Sequence, residues 1–297
     1  MIPLRILLVA FQASPRAAFA ALWASLRRKR VRARNIIYAA AQQNAGYYPL
    51  WVAAVEPLKV KEYCGEAAID VETLPIVAVV VGDADKSEPD LKRTLESLRT
   101  AFGSNVRIYC GTAGAATQSG CLELPKSSLN EVLHVLSTAG PDGWLLPMMA
   151  GDEIAPYAGK AISRALAEAP DSRIVYWDED RLEGRQRRDP WLKPDWDELL
   201  FLARDGLTGT GIFRISALRD PNSDHPRQPV GPQAFSQAVI SLVNRTMGSS
   251  GVCHIPLILS HRQPGSVFAT ATERKTFIEK IWHEPVELTE IADVPDA

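Results

Sequence analysis

Short apolar runs alternate with helical patterns through the middle of the chain. Ile76–Val81 is a continuous apolar run, β-branched except for Ala78, which is typical of a strand buried on both faces. Leu91, Leu95 and Leu98 follow at helical spacing. The alternation continues with apolar runs at 106–110, 144–149 and 174–177 and with helical patterns at 129–136 and 157–169. Strands and helices in this order predict an α/β fold with a mainly parallel sheet and right-handed crossovers.

The second half of the chain is less regular but continues the same domain. We predict a strand at 211–215, a helix at 235–245 and a last strand at 252–261 that has a histidine near each end. A proline-rich loop at 222–232 separates the first two. We therefore expect one α/β domain over residues 75–283, with an extension over residues 1–74 and an acidic tail over residues 284–297.

The N-terminal extension has a different character. Phe19, Leu22, Trp23 and Leu26 recur at helical spacing between residues 16 and 34, and residues 1–34 contain eight Arg or Lys and no acid. This pattern predicts a basic amphipathic helix. One interpretation is peripheral contact of residues 16–34 with the anionic inner membrane, with Trp23 at the interface. The alternative is a helix that packs on its own domain and leaves a solvated basic end.

Composition narrows the class of protein. Four cysteines lie far apart without CxxC spacing, so neither a disulfide framework nor a zinc site is indicated, and the expected compartment is the reducing cytoplasm. No run approaches the roughly 18 to 20 apolar residues that a bilayer span needs. No nucleic-acid-binding module accompanies the basic charge, so nucleic acid is not an expected partner.

Polar residues follow three of the predicted strands, and they are Gly82-Asp83, Gly151-Asp152-Glu153 and Asp178-Glu179-Asp180. Because ligands bind beyond the carboxyl ends of parallel strands, we expect these groups to converge on one edge of the sheet. Carboxylates at the end of a buried strand are costly unless they are paired, hydrogen-bonded or bound to metal, so the acidic cluster indicates a site. The alternative is a strand that leaves the core through a charged, solvated loop.

The segments in this order resemble a family 2 glycosyltransferase of the GT-A fold, especially the bacterial branch that builds surface polysaccharides. The specific match is to the branch's Tyr-Ser-Asp-Glu-Asp, Gly turn and Pro-x-x-Lys-Pro-Asp-Trp. Here these are Tyr176-Trp177-Asp178-Glu179-Asp180, Gly184 and Pro190-Trp191-Leu192-Lys193-Pro194-Asp195-Trp196. Residues 148–156 resemble the family's acidic strand edge, and residues 254–256 and 259–262 resemble its closing His-Ile-Pro and Leu-Tyr-His segments. Tyr48, Trp51 and Glu56 are similar to the short segment that precedes the catalytic domain.

The resemblance implies an inverting glycosyltransferase of the hexosyltransferase type. It would transfer a sugar from a nucleotide-diphosphate sugar to a glycan or lipid-linked acceptor, with a divalent cation (Mg²⁺ or Mn²⁺) to neutralise the diphosphate and a carboxylate as general base. The implied roles are catalysis for Asp178, Glu179 and Asp180, donor binding for Gly82, Asp83, Asp152 and Lys193, and metal ligation for Asp152 and His261.

The sequence departs from the family's pattern where acids are expected. Met149 and Gly151 stand at two acidic positions of the metal-binding edge, and Cys110-Gly111-Thr112 lacks the acids of the base-contacting segment. Residues 233–236, Gln-Ala-Phe-Ser, align with the family's Glu-Asp-x-Asp general-base segment, and Asp224 or His225 is the possible replacement. A second hypothesis is therefore a catalytically silent GT-A module that acts as a binding or scaffolding partner in polysaccharide assembly.

Several of these residues also have purely structural interpretations. Asp152 is a candidate N-cap for the helix that starts near Pro156, and His261 a candidate structural histidine. The cluster of Arg185, Arg187 and Arg188 fits either phosphate binding or a solvated turn. Trp191 and Trp196 fit either stacking on a sugar or burial against the sheet. A nucleotidylyltransferase is the weaker third interpretation, because no Gly-rich phosphate loop follows the first strand.

Overall fold

The computed structural model describes residues 4–42, 46–65, 74–82, 88–111, 121–124, 129, 132–134, 143–218, 231–246 and 251–286. The chain divides into two compact units. The first contains residues 1–66 and 183–190, and the second contains residues 67–182 and 191–297. The return of residues 183–190 to the N-terminal unit has no signal in the sequence pattern.

The N-terminal unit is helical, as predicted. Its helices are α1 (Leu4–Ala13), α2 (Pro15–Leu26), α3 (Arg30–Gln42), α4 (Tyr47–Ala54) and α5 (Glu56–Cys64). The first three helices bury a small core that is rich in alanine and includes Ile6, Ala10, Ala21, Ile37 and Ala41.

The prediction of one helix through residues 16–34 is wrong, because the chain forms two. Ser14 caps the start of α2, where its hydroxyl accepts the N–H of Ala17 at 3.4 Å, and Pro15 opens the first turn. Helix α2 ends before Arg28, which adopts a left-handed backbone with φ of 59°. Part of the basic cluster therefore lies in the connection to α3.

The second unit contains the sheet. Its strands are β1 (Ile76–Val81), β2 (Val106–Cys110), β3 (Leu122–Glu123), β4 (Trp144–Met149), β5 (Glu153–Ile154), β6 (Ile174–Glu183), β8 (Gly211–Arg214) and β9 (Val252–Arg262); β7 (Gln186–Trp191) begins in the N-terminal unit. The order is β3-β2-β1-β4-β8-β6-β9-β5. Strands β1 to β4 pair in parallel where they meet, as do β6 and β9, while β8 is antiparallel to both β4 and β6. Because β8 reverses direction between them, β4 and β6 end at the same edge.

Helices flank this sheet. They are α6 (Glu88–Phe102), α7 (Ala158–Glu168), α8 (Glu198–Ala203), α9 (Ile215–Leu218), α10 (Pro232–Thr246) and α11 (Ala271–Trp282), with a short 3₁₀ turn at Gly103–Asn105. Every residue of β1 and β4 is buried, as expected for central strands covered on both faces. The predicted α/β fold, a mainly parallel sheet flanked by helices with a helical extension, is confirmed. Helix α11 was not predicted.

A helix that crosses a bilayer needs about 20 consecutive, mainly apolar residues. Within the described ranges, every helix is either too short or too polar to cross a membrane.

Candidate functional site

The carboxyl ends of β1 and β4 lie side by side, as the sequence predicts. Directly after β4, the N–H of Ala150 donates to the carbonyl of Val81 at 2.7 Å. Gly151 then turns the chain with a φ of 99°, a conformation that favours glycine. The hydroxyl of Thr94 on α6 holds this turn, because it accepts the N–H of Gly151 at 2.8 Å and donates to the carbonyl of Asp152 at 2.7 Å.

Asp152, which the resemblance assigns to donor and metal binding, is buried among hydrogen-bond donors. Its Oδ1 accepts the N–H of Gln263 at 2.8 Å and the hydroxyl of Ser266 at 2.7 Å, and its Oδ2 lies 3.4 Å from Nε of Arg262. Burial raises the pKa of the Asp152 carboxyl, while the charge of Arg262 and the three donors oppose that rise. The N-cap interpretation is wrong, because α7 begins at Ala158 and its N-cap position is Tyr157, whose side chain makes no capping hydrogen bond.

Arg262, at the end of β9, lies between the turn after β4 and Glu179 in the middle of β6. Besides its contact with Asp152, its Nη1 lies 4.0 Å from Oε2 of Glu179, and its Nη2 donates to the carbonyl of Ser266 at 2.6 Å. Burial lowers the pKa of Arg262, but the carboxylates of Asp152, Glu179 and Asp205 outweigh burial and raise it. The guanidinium is therefore a permanent positive charge at the strand ends, and sequence reasoning assigned it no role.

Lys193, the lysine of the Lys-Pro-Asp-Trp segment, is fully enclosed. Its ammonium donates to the carbonyl of Trp177 at 2.8 Å, to Oε2 of Glu179 at 3.2 Å and to the hydroxyl of Thr210. It also lies 5.0 Å from the centre of the Trp191 ring. Burial lowers the pKa of Lys193, and the nearby carboxylate of Glu179 opposes that shift. All three donors of the ammonium are used within the protein.

The side chain of Asp178 connects the Lys-Pro-Asp-Trp segment with the His-Ile-Pro segment. Its Oδ1 accepts the backbone N–H of Lys193 at 2.8 Å and lies 3.1 Å from Nε2 of His254. The other ring nitrogen of His254 lies 3.6 Å from the exposed carboxylate of Asp195, and the ring stacks on Tyr176 with centroids 4.6 Å apart. Asp178 therefore orients a histidine of the closing His-Ile-Pro segment.

Asp180 has an equivalent partner at the other end of β9. Its Oδ1 lies 2.6 Å from Nδ1 of His261, its register partner, and the Asp180 side chain is fully buried. Between these two acids, Glu179 keeps 15% of its side chain exposed. A β-bulge on either side of Asp178 turns the three consecutive acids toward different partners.

The described residues do not bring together a set of metal ligands. Within the ranges that the structure covers, no three His, Cys, Asp or Glu side chains are placed to hold one ion. His261 uses Nδ1 for Asp180, and Asp152 is occupied by its own donors. Gly82 directly follows β1, whereas Asp83, Asp224 and His225 lie outside the described residues.

The segment aligned with the general base is part of the core. Residues 233–236 lie in the first turns of α10, with Phe235 and Ser236 buried. The Ser236 hydroxyl donates to Oδ2 of Asp205 at 3.2 Å and accepts from Nη1 of Arg274 at 3.3 Å. This position holds a structural network of serine, aspartate and arginine, and the Ser236 hydroxyl in it is fully buried.

The basic residues of β7 contact the segment that resembles the family's N-terminal motif. Arg187 donates to both carboxylate oxygens of Glu56, at 2.6 and 2.7 Å, and lies 3.4 Å from the hydroxyl of Tyr48. Arg188 pairs with Glu183 at 2.9 Å on the surface. Two motifs that are 131 residues apart in sequence thus meet within the N-terminal unit.

The two tryptophans of the matched segment have protein partners. Trp191 carries the guanidinium of Arg204 over its ring at 3.9 Å. Trp196 stacks on Phe201 with centroids 5.2 Å apart and packs against the core. The contacts of Trp196 favour the burial interpretation over stacking on a sugar.

Comparison with known proteins gives one sequence relative. The O-antigen biosynthesis protein RfbC of Myxococcus xanthus is 25% identical over 189 residues, which are 58% of this chain and 15% of that protein. The chain resembles a family 2 glycosyltransferase of the surface-polysaccharide branch, as its motifs predict. No family model matches the sequence.

Two solved structures of S. aureus TarS are also similar. Residues 1–349 of TarS in complex with UDP match with a TM-score of 0.49 and 12% identity, over 71% of this chain and 67% of that one. The complex with UDP-GlcNAc matches with a TM-score of 0.45 and 12% identity, over 72% and 68%.

Proposed function

We propose that this chain is an inverting glycosyltransferase domain that transfers a sugar from a nucleotide-diphosphate donor to a glycan or lipid-linked acceptor in bacterial surface-polysaccharide synthesis. One observation carries the proposal. The segments that resemble the family, residues 148–156, 176–196 and 254–262, fold into one polar network that extends from the sheet edge where β4 ends to Asp178 and Glu179 of β6. In open α/β sheets, such an edge is where ligands bind.

A resident divalent cation does not fit the described arrangement. Both oxygens of Asp152 already receive donors, and one donor is the guanidinium of Arg262. A cation at this carboxylate would lie close to that positive charge and would gain no second carboxylate from Met149 or Gly151. The Mg²⁺ or Mn²⁺ implied by the resemblance stays a prediction. The roles proposed for Arg262 and Glu179 do not depend on it.

Arg262 is the group best placed to interact with a donor diphosphate. It is permanently charged, lies at the strand ends and keeps 12% of its side chain exposed. A planar guanidinium binds phosphate oxygens through two parallel hydrogen bonds. Its 4.0 Å separation from Glu179 is long for a hydrogen bond, so Nη1 is available to a phosphate oxygen.

Glu179 is the acid that we assign to the acceptor. Asp178 and Asp180 are buried against His254 and His261, whereas Glu179 is partly exposed. In the proposed step its carboxylate takes the proton of the acceptor hydroxyl, the hydroxyl oxygen bonds to the anomeric carbon, and the bond from that carbon to the diphosphate breaks. Lys193 positions Glu179, because its ammonium is enclosed and holds that carboxylate.

Titration calorimetry with UDP-, dTDP- and GDP-sugars tests donor binding, with Mn²⁺ and with EDTA. We expect one nucleotide class to bind, and the Arg262→Gln variant to bind it at least ten-fold more weakly under conditions where circular dichroism shows that the variant is folded. The matched control is Arg188→Gln, which removes a surface arginine paired with Glu183. Failure of every donor in both conditions would refute the proposal.

A second function is favoured by the buried network at Ser236. Because this network occupies the family's general-base position, the chain is also a candidate for a catalytically silent module that binds or scaffolds partners in the same pathway. Release of nucleotide from the donor, measured in the presence of acceptor, distinguishes an active glycosyltransferase from the silent module. Sugar transfer that is lost in Glu179→Gln, with donor binding kept, excludes the silent module. Transfer lost in Asp152→Ala excludes it as well, provided that the variant keeps its fold by circular dichroism.

A further inference from the structure

Helix α2 buries its small residues and exposes its large ones. Ala21 and Ala24 are 2% and 7% exposed and face the helical core, whereas Leu22 and Trp23 are each 58% exposed. At 100° per residue, the stripe of residues 19, 22, 23 and 26 lies opposite the buried alanines. A helix stabilised only by its own unit shows the reverse arrangement, so the exposed stripe indicates an external partner.

The stripe is part of a wider apolar face on α1 and α2. We define this apolar face as Leu8, Phe11, Phe19, Leu22, Trp23 and Leu26, which are 48% to 70% exposed. The rings of Phe11 and Phe19 are in edge contact with centroids 5.9 Å apart, so the two helices contribute to one surface. Single exposed apolar residues are normal, but a contiguous group of six marks an interaction site.

Exposed basic residues lie at the start of α2, in the connection that follows it and on α3. They are Arg16, Arg27, Arg28, Lys29, Arg30, Arg32 and Arg34. The guanidinium of Arg27 lies 4.6 Å from the centre of the Trp23 ring, which places apolar and cationic groups side by side. An open depression of about 550 Å³ follows, in which four of these cations surround Val31 and Ile36.

We propose that the apolar face binds the surface of an anionic phospholipid bilayer. Six apolar side chains would enter the boundary between headgroups and acyl chains, with Trp23 at the interface, while the cations contact lipid phosphates. The basic depression has the charge to hold an anionic headgroup. A second copy of the chain is a poorer partner, because the same seven cations would face each other. The proposal does not depend on sugar transfer.

Flotation of the full chain with vesicles tests this proposal. We expect binding to vesicles of phosphatidylcholine with 30% phosphatidylglycerol, much weaker binding to phosphatidylcholine alone, and a marked decrease in 0.5 M NaCl. The double variant L22Q/W23Q should bind at least ten-fold more weakly. Since both side chains are exposed, the variant should keep its helical circular dichroism.

Two further variants make the result decisive. Leu58→Gln changes an apolar side chain on α5 that is 60% exposed and lies outside the apolar face, and it should bind vesicles like the unchanged protein. R27Q/K29Q should lower binding to anionic vesicles several-fold. Absence of vesicle binding, or equal loss with Leu58→Gln, would overturn the proposal. Self-association that L22Q/W23Q abolishes, without any vesicle binding, would instead assign the face to a second copy.

Discussion

The Nε atom of Arg262 lies 3.4 Å from Oδ2 of Asp152, the carboxylate to which the family resemblance assigns a metal. The two side chains are 12% and 3% exposed. A cation supplied by the protein therefore faces this acid and also lies 4.0 Å from Glu179 on β6.

We predict that removal of Arg262 alone is strongly destabilising. Arg262→Gln leaves the buried carboxylate of Asp152 without its charged partner and should cost about 3–5 kcal/mol of the free energy of unfolding. The double variant D152N/R262Q should cost clearly less than the sum of the single changes. Urea unfolding of all four proteins checks this, and additivity within about 0.5 kcal/mol would show that the pair is not coupled.

The buried ammonium of Lys193 should be equally important for stability. Lys193→Met keeps much of the side-chain volume but leaves Glu179, the carbonyl of Trp177 and the hydroxyl of Thr210 without their donor. We expect a loss of about 3–5 kcal/mol, measured by urea unfolding. Lys275→Met on the surface of α11 is the control and should stay within about 0.5 kcal/mol. A near-neutral Lys193→Met would mean that the ammonium contributes little.

The capping box of α11 should give a stability that depends on pH. The N–H of Thr270 donates to Glu273 and lowers the pKa of that carboxyl below its usual 4.5. A depressed pKa stabilises the folded state above the unfolded pKa, and the effect is lost as pH falls through the folded pKa. Glu273→Gln keeps the capping geometry without the charge, so it should be less stable by about 0.2–1 kcal/mol at pH 7 in this exposed, solvent-screened position, and the difference should decrease as the pH falls below 4.5.

Unfolding curves of these two proteins at several pH values measure the difference. Thr270→Ala removes the cap itself and should cost about 1 kcal/mol. A Glu273→Gln difference that stays constant from pH 7 to pH 3 would contradict the assignment of the lowered pKa to Glu273.

Arg187 should stabilise the N-terminal unit, whereas its neighbour Arg188 should not. Arg187 makes a bidentate pair with the buried carboxylate of Glu56, while the Arg188 pair with Glu183 is solvent-exposed. Arg187→Ala should speed amide hydrogen exchange in α5 by at least ten-fold, as expected when a buried charge loses its partner. Arg188→Ala should leave exchange unchanged. Equal exchange in the two variants would refute a structural role for Arg187.

The central strands could be predicted from the sequence because their apolar runs are continuous. Strands β1 and β4 are buried on both faces and match their predicted bounds, and β6 begins where its apolar run begins. The predicted end of β6 is wrong, because the strand continues through Asp178, Glu179 and Asp180 to Glu183 instead of ending at Trp177. Its pairing with β9 carries the acids on as part of the sheet, and Asp152 and Glu179 converge on Arg262. Helix α11 was missed, although Thr270 and Glu273 have the spacing of a capping box.

The partners of the charged groups were decided only by tertiary structure. Arg262 and Asp152 are 110 residues apart in sequence, and Arg187 and Glu56 are 131 apart. The sequence by itself determined the α/β fold, the acidic turn after β4 and the basic apolar extension, because local periodicity encodes burial. It did not determine which acid meets a cation, or that α2 exposes its large side chains, because those outcomes depend on which surfaces pack together.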